Sequence, residues 1–263
     1  MSLFAKDLIA WEERGGSLTS LRTELDARET PISCIDPYSG WHPGHDPRAA
    51  TGERAAFLKA TEEEVLRFAE VMGASDINLV APYDRGEVRF DAIVDGLGRF
   101  ADLAAEAGLR AQLEIVPTSG VSDLGTAMRL LTAVGRRNVG VLLDTYNLAR
   151  SGVTPRDIDD VPHELVFSVQ LADGDAVPLG GDYRLDSLHN RQLPGEGELP
   201  VAEMVERLMQ LGPLPPLGPE VFRDALCELP ADEIGSRCAD ATRRFLQGVG
   251  AVRFDEGKQT SGG

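Results

Sequence analysis

Four oxygen-bearing side chains stand at the ends of apolar runs in this chain. Glu114 lies in Gln112-Leu113-Glu114-Ile115-Val116, and Asp144 closes Val139-Gly140-Val141-Leu142-Leu143-Asp144. Gln170 lies in Val166-Phe167-Ser168-Val169-Gln170-Leu171, and Glu220 in Gly218-Pro219-Glu220-Val221-Phe222. A carboxylate at the end of a buried strand is costly unless something pairs with it, and strand ends are where α/β folds keep their chemistry. Two Glu, one Asp and one Gln offer oxygen ligands only. That donor set suits a divalent metal of hard or borderline character, Mn²⁺ or Mg²⁺, whereas a zinc site more often brings His or Cys. Three carboxylates on one rim without a cation would repel, raising pKa values and destabilising the fold. Taken singly, each residue has a plainer reading as a helix cap or ion-pair partner; their shared placement sets the four apart.

The elements that must position them alternate along the chain. Near-continuous apolar runs without alternation are what parallel strands covered on both faces require. Such strands are expected at residues 31–36, 77–82, 110–116, 139–144, 165–171 and 217–222. Between them, Thr61-Glu62-Glu63-Glu64 has the capping-box pattern ahead of the apolar face Val65, Phe68, Ala69 and Met72. Asp91 and Asp123 are expected to cap helices, Thr154-Pro155 to open a short one at 155–160, and Pro200 and Asp232 to begin the last two. Residues 11–16 read as a loop before a helix at about 17–28. Residues 38–50 form a Gly/Pro-rich loop with Trp41, His42 and His45; the two histidines, three apart, suit a metal but fit polar loop residues better. The long polar stretch 172–197 is a functional suspect.

The candidate residues are separated by 30 positions (114 to 144), then 26 (144 to 170) and 50 (170 to 220). The first two gaps are close to one βα unit, and a repeat of that period on strand ends points to a (β/α)8 TIM barrel. No Gly-x-Gly-x-x-Gly turn follows an early strand, which argues against a dinucleotide fold. One domain over residues 1–250 is expected, with a disordered tail at 251–263.

The 263 residues carry a net charge of −17, which argues against nucleic acid or an anionic membrane as partner. No apolar run reaches the roughly 20 residues of a membrane span, and the start lacks a secretory signal pattern. Cys34, Cys227 and Cys238 lie far apart, as in a reducing compartment, so the cytoplasm is the expected location.

Beyond these readings, the sequence resembles the xylose-isomerase-like TIM-barrel family of sugar phosphate isomerases and epimerases. The resemblance rests on Glu114, Leu143-Asp144-Thr145-Tyr146-Asn147, Val169-Gln170-Leu171-Ala172-Asp173, Arg191-Gln192-Leu193-Pro194-Gly195-Glu196-Gly197 and Pro219-Glu220-Val221-Phe222. It implies one divalent metal held by Glu114, Asp144, Gln170 and Glu220, with Glu114 and Glu220 as the catalytic acid/base pair and Arg191 at the substrate. Asn147, His189 and Trp41 are the further substrate-binding candidates. Two departures stand out. Many members have a histidine where this chain has Asn147, which cannot shuttle a proton. One βα unit, the first, is also absent, leaving at most residues 2–5 of the second strand; a gap of that kind needs cover, by the amino-terminal segment or by a partner in a homo-oligomer.

The leading expectation is therefore an isomerase or epimerase of a small polyhydroxy carbonyl compound, working by proton abstraction beside the carbonyl through an enediolate. The resemblance also extends to 3-dehydroshikimate dehydratases, whose reaction shares the proton abstraction and differs in the fate of the β-hydroxyl. A non-catalytic carbohydrate-binding barrel is the third reading. Nuclease activity, which this barrel type also supports, fits poorly with so few histidines and so acidic a chain.

Overall fold

A computed structural model describes residues 1–45 and 53–251. The end of the 38–50 loop and residues 252–263 of the expected tail lie outside the described residues. Among the described residues, seven strands follow one another in chain order: β1 (Ser2–Phe4), β2 (Cys34–Tyr38), β3 (Asp76–Leu79), β4 (Arg110–Glu114), β5 (Val139–Asp144), β6 (Val166–Leu171) and β7 (Leu217–Pro219). They form one sheet in the order β1 to β7, with parallel pairing. A strand-by-strand order of this kind, with helices in the connections, is a TIM-barrel arrangement one βα unit short of eight. Of the expected residues 2–5, Ser2–Phe4 form the strand and Ala5 begins the helix that follows.

The chain divides into two compact units. The first comprises Met1–Leu143 and Glu164–Ser168. Its core is the interior of β2 to β5, where Ile35, Ile77, Leu79, Ala111, Leu113, Val141 and Leu143 are inaccessible to solvent. Helix Glu62–Met72 has the full capping box, with Thr61 Oγ1 accepting from Glu64 N and Glu64 accepting from Thr61 N, and ends at Gly73 in a left-handed conformation. It buries Val65, Phe68, Ala69 and Met72, and a fully buried side chain of this size contributes roughly 1.5–3 kcal/mol. Gly140 lets β5 approach the start of β6, because a Cβ there would stand 2.4 Å from the Leu165 carbonyl oxygen.

Two expectations in this unit need correction. Residues 11–13 belong to helix Ala5–Glu13, which Ala5 and Leu8 anchor by burial, and only Arg14 to Gly16 form the loop. Asp91 is not a cap: helix Phe90–Glu106 begins one residue earlier, and Asp91 sits in its first turn, suited to the helix dipole and paired with Arg89.

The second unit comprises Asp144–His163 and the chain from Val169 onward. Gln170 pairs with Gly218 and Leu171 with Pro219 across β6 and β7. Helix Val201–Leu211 buries Val201, Met204, Val205 and Leu208. Helix Ala231–Gly248 brings Ala241 against Leu193 and Leu226, with Val221, Leu229 and Cys238 around them. The stretch 172–197 is not a bare loop, since it holds helix Tyr183–His189. No helix among the described residues is long and apolar enough to cross a membrane.

Candidate active site

Within the second unit, the end of β5 runs straight into helix Thr145–Arg150, and Asp144 is the residue at the junction. Its Oδ1 accepts from the backbone N–H of Tyr146 (2.9 Å) and Asn147 (3.2 Å), while its Oδ2 accepts from Arg191 Nη1 at 2.8 Å. Both oxygens of this fully buried carboxylate are therefore engaged. Glu220 follows β7, where its N–H continues the ladder by donating to Leu171 O. Its Oε1 accepts from Gln170 Nε2 (2.9 Å) and its Oε2 from Arg191 Nη1 (3.2 Å). Asp144 and Glu220 each bring a carboxylate oxygen to within 4.8 Å of the other. Glu220 is the one of the two that solvent reaches, at 17% side-chain exposure against 0%.

Arg191, expected at the substrate, is turned onto these carboxylates. Nε donates to Ser187 O, Nη1 also approaches Glu220 O at 3.3 Å, and the guanidinium lies 4.7 Å from the Tyr146 ring centroid and 5.2 Å from that of Phe222. A planar cation with several donors relieves the repulsion of two carboxylates this close.

The segment that carries Arg191 is fastened by a residue the sequence reading quoted but did not assign, Asp173. Its carboxylate accepts from the N–H groups of Gly174 (2.8 Å), Leu199 (3.0 Å) and Gly195 (3.2 Å), and its backbone bridges to Gln192. A second anchor, Asp186, is wholly buried and accepts from Tyr146 Oη, Arg150 Nη2 (2.8 Å), Leu179 N (2.9 Å) and Asn190 Nδ2 (3.0 Å). Burial, the strongest influence on its carboxyl, acts to raise the pKa. The bonds from Tyr146, Leu179 and Asn190 and the charge of Arg150 outweigh it, and the pKa falls below its ordinary value. Asn147 is buried beside Asp144, with its Oδ1 accepting from Tyr183 Oη at 2.8 Å. His189 ends its helix with Nδ1 3.0 Å from Asp224 Oδ1.

In the first unit, Glu114 ends β4 and is 8% exposed. Its Oε2 accepts from Asn78 Nδ2 (2.8 Å), and the same amide donates to Asp36 Oδ1 (2.8 Å). Three neighbouring strands, β2 to β4, thus present Asp36, Asn78 and Glu114 together. Neither Asp36 nor Asn78 was singled out from the sequence, although a polar residue inside Ile77-Asn78-Leu79 was the available signal. Trp41 is 1% exposed, its indole N–H donated to Val80 O at 2.8 Å.

The sequence profile of the xylose isomerase-like TIM barrel family matches residues 2–245, and the chain belongs to that family. It is 26% identical over 151 residues to inosose isomerase of Halalkalibacterium halodurans, an overlap of 57% of this chain and 52% of that protein. It is 31% identical over 167 residues to 3-dehydroshikimate dehydratase of Pseudomonas aeruginosa, an overlap of 63% of this chain and 24% of that one. The chain thus spans about half the length of the first relative and about a quarter of the second. Among solved structures it resembles the IolI protein, which has a bound zinc atom, with a TM-score of 0.76 at 19% identity over 94% of this chain and 88% of that one.

Proposed function

We propose that the protein is a metal-dependent isomerase or epimerase of a small polyhydroxy carbonyl compound. The observation that carries this reading is the Asp144–Glu220 pair, two carboxylates at strand ends with a buried guanidinium between them. The place demands positive charge, and its donors are oxygens. Asp144, Gln170 and Glu220 would hold a divalent cation, and Glu114, the last residue of β4, is proposed as its fourth ligand. The zinc atom of IolI supports a divalent cation, and the oxygen donors here favour Mn²⁺ or Mg²⁺. When bound, it supplies polarisation of a carbonyl and an adjacent hydroxyl.

The chain's own part is proton transfer. Glu220, partly open to solvent, removes the proton beside the carbonyl, and Glu114, in its protonated form, delivers its own proton to the carbon skeleton, so that each turnover exchanges the charge state of the pair. Asn147, fixed by Asp144 and Tyr183, orients a hydroxyl by hydrogen bonding and moves no proton. The identity to a 3-dehydroshikimate dehydratase supports a second reading, in which the same abstraction ends in loss of the β-hydroxyl.

Deuterium exchange tests both. In deuterated water with Mn²⁺, an isomerase or epimerase substrate gains deuterium beside its carbonyl and is otherwise unchanged in composition. A dehydratase instead converts a cyclic enone acid into a strongly absorbing aromatic product. No exchange with any sugar or hydroxy-ketone and no dehydration would leave a non-catalytic carbohydrate-binding barrel as the reading to hold.

A further inference from the structure

Two of the buried polar atoms in the first unit that lack a hydrogen-bond partner face one another. His42 and Tyr83 are 7% and 6% exposed, and neither His42 Nε2 nor Tyr83 Oη has a hydrogen-bond partner. Their ring centroids are 4.6 Å apart. Each stands four residues past the carboxyl end of a neighbouring strand, β2 for His42 and β3 for Tyr83. Together with Pro43, Pro82, Glu87 and Val88 they line a cavity of about 570 Å³. Orphaned buried groups are rare in native folds, and each calls for an explanation.

Hydrogen-bond chemistry narrows the ligand. His42 Nδ1 lies 3.0 Å from Pro43 O, and a carbonyl only accepts, so Nδ1 carries the hydrogen. Burial, the largest influence, lowers the pKa of His42, helped by His45 and opposed by the Pro43 carbonyl and Glu87, so the ring is neutral. Its Nε2 is then a bare acceptor. Tyr83, its pKa raised by burial, keeps its proton. A bound carboxylate, phosphate or ketone oxygen accepts only; it would suit Tyr83 and face the lone pair of Nε2. An ammonium has no lone pair to offer Tyr83. A hydroxyl does both, donating to Nε2 and accepting from Tyr83 Oη. Room for the phenol ring is built in at Gly120, where a Cβ would stand 1.8 Å from Tyr83 Cε2.

We infer that His42 and Tyr83 form a subsite for one hydroxyl group of a polyhydroxy ligand. The inference rests on the reading of the protein as an enzyme of polyhydroxy compounds and adds a place where a hydroxyl of such a compound is recognised.

The test uses myo-inositol as probe with the full chain loaded with Mg²⁺. Calorimetric titration should show binding that Tyr83→Phe, which deletes one oxygen, weakens roughly tenfold, the effect of losing one buried hydrogen bond. In wild-type protein labelled with ¹⁵N-histidine, the Nε2 resonance of His42 should move on titration, in the direction of a newly accepted hydrogen bond. Equal affinity in the two proteins, an unmoved Nε2 signal, or no binding to the wild type would each overturn the subsite. The enzyme reading is judged separately by deuterium exchange. Exchange that persists beside an unmoved His42 signal sinks the subsite alone; inositol binding without exchange on any substrate sinks the enzyme reading alone.

Discussion

Arg191 donates through Nη1 to Asp144 Oδ2 at 2.8 Å, in a pair whose side chains are 5% and 0% exposed. Removing one partner of a buried ion pair leaves the other charge without compensation, at a cost of about 3–5 kcal/mol. Arg191→Met should therefore lower the unfolding free energy of the metal-free protein, read by urea titration, by an amount in that range. Added Mn²⁺ should recover part of the loss, because the cation supplies the missing positive charge to Asp144 and Glu220. A midpoint unchanged in the absence of metal would show the pairing to be incidental.

Glu220 is the site carboxylate of the second unit that reaches solvent, and the residue proposed to take the proton. Glu220→Gln keeps an oxygen for the cation and loses the base. Turnover should fall by roughly 10² to 10⁴, the usual contribution of a positioned general base. Metal affinity, read by calorimetry, should fall far less. Wild-type turnover in Glu220→Gln would remove the assigned role.

Asp186 makes a pH prediction. Its folded pKa is depressed below the ordinary 3.8. The stability it contributes is therefore present above that ordinary value and is lost as pH falls through it towards the folded pKa. Asp186→Asn should destabilise the protein at pH 7 by about 1.5–3 kcal/mol, as expected for hydrogen bonds to a charged group. The wild-type and variant stabilities should converge below pH 4 in denaturant titrations at stepped pH. A gap that stays constant down to acid pH would mean that packing, not the charge, is responsible.

How much was legible from sequence follows from what each residue depends on. Strand β5 announces itself because burial on both faces demands the near-unbroken apolar run that precedes Asp144. The helix at Glu62–Met72 carries its own start and stop in Thr61, Glu64 and Gly73. By contrast, helix Tyr183–His189 has only seven residues and buries Asp186 and Ser187, so hydrophobic periodicity has nothing to register. Helix Thr145–Arg150 begins on the strand's last residue, without the loop that a strand-to-helix boundary normally shows in sequence. The bond from Asn78 to Asp36 and Glu114 depends on which residues of three neighbouring strands fall opposite one another, and parallel register is set by the assembled sheet. Trp41 in a Gly/Pro-rich loop looks like a binding residue; the Val80 carbonyl that captures its indole N–H is 39 positions away.

The last prediction concerns the segment that presents Arg191. Gly197 packs so closely on Asp173 and Gly174 that a Cβ would stand 2.4 Å from Asp173 Oδ1 and 2.5 Å from Gly174 N and O. The Gly174 atoms are backbone and cannot swing aside, and Asp173 is the carboxylate that fastens the segment through the N–H groups of Gly195 and Leu199. Gly197→Ala should thus cost about 1–3 kcal/mol, the range for overpacking. It should also displace the chain leading back to Arg191, lowering turnover and weakening Mn²⁺ binding. Gly235→Ala is the control, since it lies inside helix Ala231–Gly248 with nothing within 4 Å of the new Cβ. Alanine there should stabilise by up to about 1 kcal/mol and leave activity unchanged. Equal stability and equal turnover in Gly197→Ala and the wild type would show that Asp173 does not govern the position of Arg191.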